Sequence, residues 1–337
     1  MAITLPTDEV AFDRFVAAFA EELTAVVLRH DLVPSSSLSE NVTAIWRLDR
    51  DALTRALVAA HAKTIGPQVP LTRLGDRLYA YIGFVQDHGR TPSDRLLLND
   101  VLYRIKTTNE ILNPLRIIVS DKELMKCYVG NAVGDRYIVP TLAVLKSPEE
   151  LDNFVFPPDC YIKPTHASGT MIVRRGGSTI DLRVVRGWFG LNFYLGQREA
   201  NYRSLIPKVI VEPMLAGHLR DLDYKIFCWR GEPKLVQVGL LQKSQDPRRY
   251  FDSRWNEIAP DSAASAAAPL PRPDRLDEML WLARELSSEF DLVRVDLYVL
   301  SDAVLVGEIT NCHWAGRDRF RNFAFERKLS EVVFGSP

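Results

Sequence analysis

The chain has 337 residues, 42 Lys and Arg against 43 Asp and Glu for a formal net charge of −1, and 47% hydrophobic residues. This is the profile of a soluble globular protein of two or three compact units, with no general attraction to nucleic acid or anionic lipid. No uncharged apolar run approaches the roughly 18 residues that cross a bilayer, so membrane insertion is excluded at this level.

Residues 1–95 read as a helical accessory region, a candidate surface for self-association into a homo-oligomer. Thr7 caps a first stretch with Phe12, Phe15, Phe19 and Leu23 at helical spacing, a second begins near Asp51, and a third covers Leu74 to Val85. Asp8, Glu9 and Asp13 precede the first basic residue, Arg14, the reverse of a secretory leader. Cys127, Cys160, Cys228 and Cys312 form no CxxC pair and no zinc-spaced cluster, which argues for a reducing, cytoplasmic setting and against a structural metal site.

Residues 96–150 form a lead-in segment. Leu96 to Ile105 reads as a helix, Arg116 to Ser120 as a short strand, and Asp121 to Val129 as a helix capped by Ser120 or Asp121; Tyr137 to Val139 reads as strand-like. Residues 151–215 are strand-rich, with Cys160 to Lys163, Thr170 to Arg175 before a Gly176-Gly177 turn, and Val209 to Glu212. Residues 216–337 carry two hairpins, Lys225 to Leu241 around Arg230-Gly231-Glu232 and Leu292 to Thr310 around Ser301-Asp302. Between these lie a surface loop, Asp261 to Pro273, and a helix, Arg275 to Phe290. Helices with mainly antiparallel strands make the fold α+β.

There is no GxxxxGK[ST] and no GxGxxG, so any phosphate site is built otherwise. Lys163, at the end of an apolar strand and followed by the small-residue loop of His166, Ser168 and Gly169, sets one cation beside backbone N–H groups, as a phosphate cradle does. A plain hairpin with a surface lysine explains the segment equally well.

In the Leu292 to Thr310 hairpin, alternation puts Val293, Val295, Leu297 and Val299 on one face and Arg294, Asp296 and Tyr298 on the other. A three-residue loop, Ser301-Asp302-Ala303, sets Leu300 opposite Val304, Asp296 opposite Glu308 and Arg294 opposite Thr310. A two-residue turn throws the two carboxylates onto opposite faces. Facing carboxylates repel unless a cation lies between them, and oxygen ligands on strands suit Mg²⁺ with nucleotide phosphates. Val209 to Leu215 reads as a buried strand with a hinge at its end.

Taken in order, Asp121-Lys122, Tyr161-Ile162-Lys163-Pro164 with Ser168-Gly169, Val211-Glu212-Pro213-Met214-Leu215, Arg294-Val295-Asp296 and Gly307-Glu308-Ile309-Thr310 resemble the ATP-grasp superfamily. Asp223-Tyr224-Lys225, Trp188 with Asn192 and Tyr194, and Glu199 to Tyr202 narrow the resemblance to its TupA-like branch, named for teichuronopeptide biosynthesis.

The resemblance implies two lobes clasping ATP, and a cytoplasmic ligase using ATP and Mg²⁺, or Mn²⁺ in its place. Such an enzyme phosphorylates a carboxylate that a small-molecule amine then attacks, with an amino acid and a sugar acid as the implied substrates in cell-surface polysaccharide or specialised-metabolite biosynthesis. It implies Lys122 and Lys163 on the phosphates, Glu212, Pro213, Met214 and Leu215 at adenine and ribose, and Lys225 as a further phosphate or ribose contact. Ser168 and Gly169 would belong to the phosphate-binding loop, and His166 would touch the γ-phosphate or the acceptor. Asp296 and Glu308 would bind the metal, and Arg294 would stabilise the transferring phosphoryl group or the tetrahedral intermediate.

Many ATP-grasp ligases carry Asn two residues after the final Glu; here that place is Thr310 and Asn311 follows, leaving both as candidates for the third metal ligand. Two other outcomes stay open, a phosphotransferase acting on a hydroxyl and a nucleotide-binding scaffold without turnover. His218 and His313 flank site segments. Between Lys163 and Lys208 lie eight basic and two acidic residues, so the charge pattern predicts a cleft with one basic wall. Trp188 to Tyr202, with Arg183, Arg186, Arg198 and Arg203, reads as a lid, an acceptor site or a solvated helix.

Overall fold

The computed structural model describes residues 71–215, 218–240, 248–259 and 269–335. The first two N-terminal helical stretches and most of the Asp261 to Pro273 loop lie outside the described residues. The third stretch is α1, Arg73–His88, capped by the Thr72 side chain on Gly75 N–H and ended by Gly89 at φ 61°. Helix α2 is Leu98–Thr107.

Arg116 to Ser120 is helical rather than extended: it belongs to α3, Pro114–Ser120. Asn113 accepts from Leu115 N–H at 2.9 Å and Pro114 takes the first turn, where its missing N–H costs nothing. Its inward residues Arg116, Val119 and Ser120 recur at three and four, a helical period that a five-residue apolar window hides. Asp121 then caps α4, Lys122–Val133, accepting from Glu123 and Leu124 N–H. Tyr137 closes a 3₁₀ turn, and Ile138 makes only a single parallel bridge to Val306 in place of the expected strand.

Two antiparallel sheets follow. The smaller has the order β1-β4-β2-β3, from β1 (Ala143–Leu145), β2 (Cys160–Pro164), β3 (Ile172–Arg174) and β4 (Val209–Pro213). It therefore draws on chain before residue 151. One face buries Cys160, Ile162, Val209 and Val211 against Leu151, Phe156, Val185 and Trp188, each buried aliphatic contributing about 1.5–3 kcal/mol. Period-two alternation turns Tyr161, Lys163 and Glu212 to the other face, with Tyr161 opposite Glu212.

The larger sheet has the order β7-β6-β5-β8-β9, from β5 (His218–Trp229), β6 (Glu232–Leu240), β7 (Arg249–Asp252), β8 (Leu292–Leu300) and β9 (Val304–Thr310). Val293, Val295, Leu297 and Val299 pack beneath α5 (Leu276–Ser287) and α4. On the opposite face Phe227, Leu235 and Leu292 pack against α2 and α6 (Phe323–Phe334). That second face is apolar only at one end. Along β8 it passes from Leu292 to Arg294, Asp296 and Tyr298, and there it meets the polar face of the smaller sheet. Among the described residues no helix is long and apolar enough to cross a membrane.

The register of the second hairpin is reached by an unexpected route. Val299 pairs with Val304, and Leu300 N–H bonds Ala303 O at 2.8 Å, so the turn has two residues, Ser301 and Asp302. On an unbroken ladder this would separate Asp296 from Glu308. Gly307 is an extra residue between the Leu297–Val306 and Asp296–Glu308 pairs, a bulge that shifts the register by one and restores the facing pair. The bulge lies tight against Tyr298, whose Cε2 would be 2.7 Å from a Cβ at position 307. Only glycine fits without moving the ring.

Candidate active site

The site lies where the polar faces of the two sheets meet. From the smaller sheet, Lys163 Nζ donates to Glu212 at 2.7 Å and Lys126 donates to the same carboxylate at 2.5 Å. Burial pushes the Glu212 carboxyl up, but Lys163 and Lys126 more than offset this and hold it below its ordinary value. With both oxygens taken, the Glu212 side chain sets the two lysines. Beyond Glu212 the chain continues to Leu215, which packs on Val139, Leu300 and Leu305. Lys126 was not singled out from sequence, although it falls one helical turn after Lys122.

Lys122 binds the loop that follows β2. Its N–H donates to Thr165 O at 3.1 Å, and its ammonium to the carbonyls of Pro164, at 3.2 Å, and Ala167. Asp121 completes the tie by accepting from the Thr165 hydroxyl at 2.8 Å. Burial lowers the pKa of Lys122, Glu308 across the cleft raises it, and Lys163 beside it lowers it again. His166 is buried, with its Nε2 on Leu191 O at 3.1 Å. It joins the loop to the 188–191 segment. Ser168 and Gly169, the latter at φ 71°, reach the cavity wall.

From the larger sheet, Asp296 faces Glu308 and Arg294 faces Thr310. The Arg294 fork grips both Asp296 oxygens at 2.6 and 2.7 Å and donates to the Thr310 hydroxyl at 3.0 Å. Glu308 makes no hydrogen bond or ion pair with any described residue and faces a cavity of about 390 Å³. Lys225, opposite Asp296, pairs with Asp223 and lies 3.9 Å from Asp296. Its pKa is lowered by burial, with Asp296 opposing.

His313 enters this network unannounced by any motif. Its Nδ1 accepts from Arg294, and its Nε2 bonds Asp318 at 2.7 Å, which Arg248 also grips. Burial, then Arg294, holds its pKa down at about 4, so a neutral imidazole receives Arg294 and donates to Asp318. This chain fixes the guanidinium from behind.

Asn311 does not join the metal candidates. Its side chain is buried on the other face, accepting from Arg116 at 3.0 Å and donating to Arg116 O at 2.9 Å and Ser120 Oγ at 3.1 Å. Thr310 alone shares the face of Glu308. No group of three or more His, Cys, Asp or Glu converges at metal distance among the described residues. Two opposed carboxylates and a hydroxyl still suit a hard cation that takes its other ligands from phosphates and water.

The basic wall also differs from its sequence pattern. Arg183 and Arg186 are surface groups paired with Asp181 and Asp152, and Arg198 is buried on Asp76 of α1 at 3.2 Å. The cations at the cleft are Lys122, Lys126, Lys163, Lys225 and Arg294, brought from four separate segments. From Trp188 to Tyr202, Phe193, Gln197, Glu199 and Tyr202 line the cavity, while Trp188 belongs to the core of the smaller lobe.

Two small antiparallel lobes facing each other across lysines and a carboxylate pair define an ATP-grasp fold. The chain matches the TupA-like ATPgrasp family over residues 102–334 and belongs to it. Among solved structures, it is similar to D-alanine–D-alanine ligase from Helicobacter pylori at 16% identity, over 66% of this chain and 61% of that one, with a TM-score of 0.36. ATP-grasp ligase PsnB complexed with its minimal precursor is 13% identical over 66% of this chain and 63% of that one, TM-score 0.35. D-cycloserine synthetase DcsG is 13% identical over 65% and 71%, TM-score 0.34. The chain thus spans about three fifths of the length of the first two. No curated protein matches it.

Proposed function

We propose that the protein is an ATP- and Mg²⁺-dependent carboxylate–amine ligase working through an acyl phosphate. The carrying observation is the Glu308 carboxylate, without a hydrogen bond or ion pair among the described residues, facing Asp296 on one wall of the cleft, with Lys122 and Lys163 on the other. One related structure, ATP-grasp ligase PsnB, is described with Mg and ADP, which supports the choice of cofactors.

In this reading Lys122 and Lys163 hold phosphate oxygens, Lys163 exchanging its Glu212 contact for the nucleotide. The backbone at 213–215 meets the base. Asp296, Glu308 and Thr310 would hold Mg²⁺, which when bound neutralises charge on the phosphates. Arg294, released from Asp296 on that face, points a fixed fork at the oxygens that gain charge during transfer. Lys225 screens the two carboxylates. Neither Cys228 nor Cys312 is placed as a nucleophile: both are buried, and burial pushes the Cys228 thiol up to about 12.

The family's association with aminoacyl-decorated uronic acid polymers suggests an amino acid and a sugar acid as substrates, in polysaccharide or specialised-metabolite biosynthesis; this rests on analogy. The test is ADP release across pairs of uronic or amino acids with amines. A ligase gives ADP and phosphate only when acid and amine are both present. A stable phosphorylated product formed from a hydroxyl compound without amine would make the protein a kinase instead.

A further inference from the structure

The cavity that Arg294, Glu308 and Thr310 line is also lined by Phe193, Gln197, Glu199 and Tyr202. Glu199 is only 6% exposed, yet its carboxylate lines the cavity and forms no ion pair with any described residue. Charged or titratable groups surround it. Lys106 lies behind it in α2, Glu308 faces it from β9, Cys312 is within hydrogen-bonding reach, and Tyr202 stands beside it with Arg294 beyond.

The same cavity is lined by an exposed aromatic ring. Trp314 and Ala315 lie consecutively in the left-handed region, at φ 49° and 56°, a conformation that side chains with a Cβ resist. Lys106 pins this turn by donating to Ala315 O at 3.4 Å. The result is an indole 70% exposed at the cavity edge.

We infer that Glu199 binds and deprotonates the acceptor amine, so that this cavity takes a primary aliphatic ammonium. The inference rests on the ligase reading above. Such amines, with pKa values of about 8 to 10, are mostly protonated at neutral pH and cannot attack until a proton leaves. The Glu199 carboxylate takes that proton. The amine nitrogen then bonds to the acyl carbon, the bond from that carbon to the phosphate oxygen breaks, and phosphate departs with the electron pair. The second nitrogen proton passes to the departing phosphate. Burial raises the Glu199 carboxyl, with Lys106 opposing, and a carboxylate of raised proton affinity accepts a proton from an ammonium more readily.

The test compares hydroxylamine, which is unprotonated at neutral pH, with α-amino acids as acceptors of the same acyl phosphate. With ATP, Mg²⁺ and a panel of uronic and amino acids, Glu199→Gln should lower kcat/KM for the amino acid about a hundredfold. Hydroxamate formation should fall far less. The wild-type rate with the amino acid should already be substantial at neutral pH, whereas Glu199→Gln should follow the free-amine fraction and rise only at higher pH, and Glu199→Asp should restore the neutral-pH rate in part. An unchanged pH profile in Glu199→Gln, or equal loss with both acceptors, overturns the assignment. No hydroxamate from the wild type with any acid overturns the ligase reading, and this assignment with it.

Discussion

Asp296→Asn should lower kcat for ADP release by about a thousandfold, roughly 4 kcal/mol of transition-state stabilisation. The substitution keeps size and hydrogen-bonding shape and removes one negative charge from the facing pair. Glu308 and Asp223 then balance Lys225 and Arg294, and the wall loses the surplus negative charge that would attract a metal ion. ATP affinity should fall much less than turnover, because the lysines of the other lobe are untouched and the freed Arg294 attracts phosphate. Asp302→Asn, in the hairpin turn and exposed, controls for a general change in charge. ADP release and nucleotide titration on the three proteins check this. A wild-type kcat in Asp296→Asn would remove Asp296 from the reaction.

Arg294→Ala should cost stability and turnover together, and Arg294→Lys should separate them. The guanidinium is 8% exposed and holds Asp296, Thr310 and His313 at once. Truncation removes both close hydrogen bonds of the Asp296 carboxylate and leaves it only Lys225 at 3.9 Å, which costs about 3 kcal/mol. Lysine returns the charge without the fork, so urea unfolding should recover much of that loss. Turnover should stay about a thousandfold down in both, since a point charge cannot grip a carboxylate or a phosphoryl group in two places. Wild-type ADP release in Arg294→Lys would show that the fork is used for folding alone.

The facing of Asp296 and Glu308 was legible from alternation along β8 and β9, but for an incomplete reason. The turn has two residues, and the bulge at Gly307 supplies the missing shift; an isolated glycine inside a strand pattern was the available signal. The reading of Arg116 to Ser120 as a strand failed because its cap, Asn113-Pro114, lies outside the apolar window. Lys122 and Lys163 stood in recognisable segments, whereas Lys126 was visible only as the next turn of the same helix.

Asn311 illustrates a limit of one-dimensional spacing. One residue beyond Thr310, it crosses to the face where Arg116 waits, and no local pattern announces a partner 195 positions away. The same holds for His313 and Asp318 behind Arg294. The cluster of arginines between 174 and 203 misled in the opposite direction, since Arg183 and Arg186 face solvent and Arg198 serves α1. Charge density along the chain does not say which way side chains point.

The acyl phosphate is the central intermediate of the proposed reaction, and oxygen transfer tests it most directly. With both carboxylate oxygens of the acid substrate labelled with ¹⁸O, turnover with ATP and amine should place one labelled oxygen in inorganic phosphate and leave the other in the amide. Phosphate released without label, at full rates of amide formation, would contradict the acyl phosphate and with it the proposed roles of Asp296, Glu308 and Arg294.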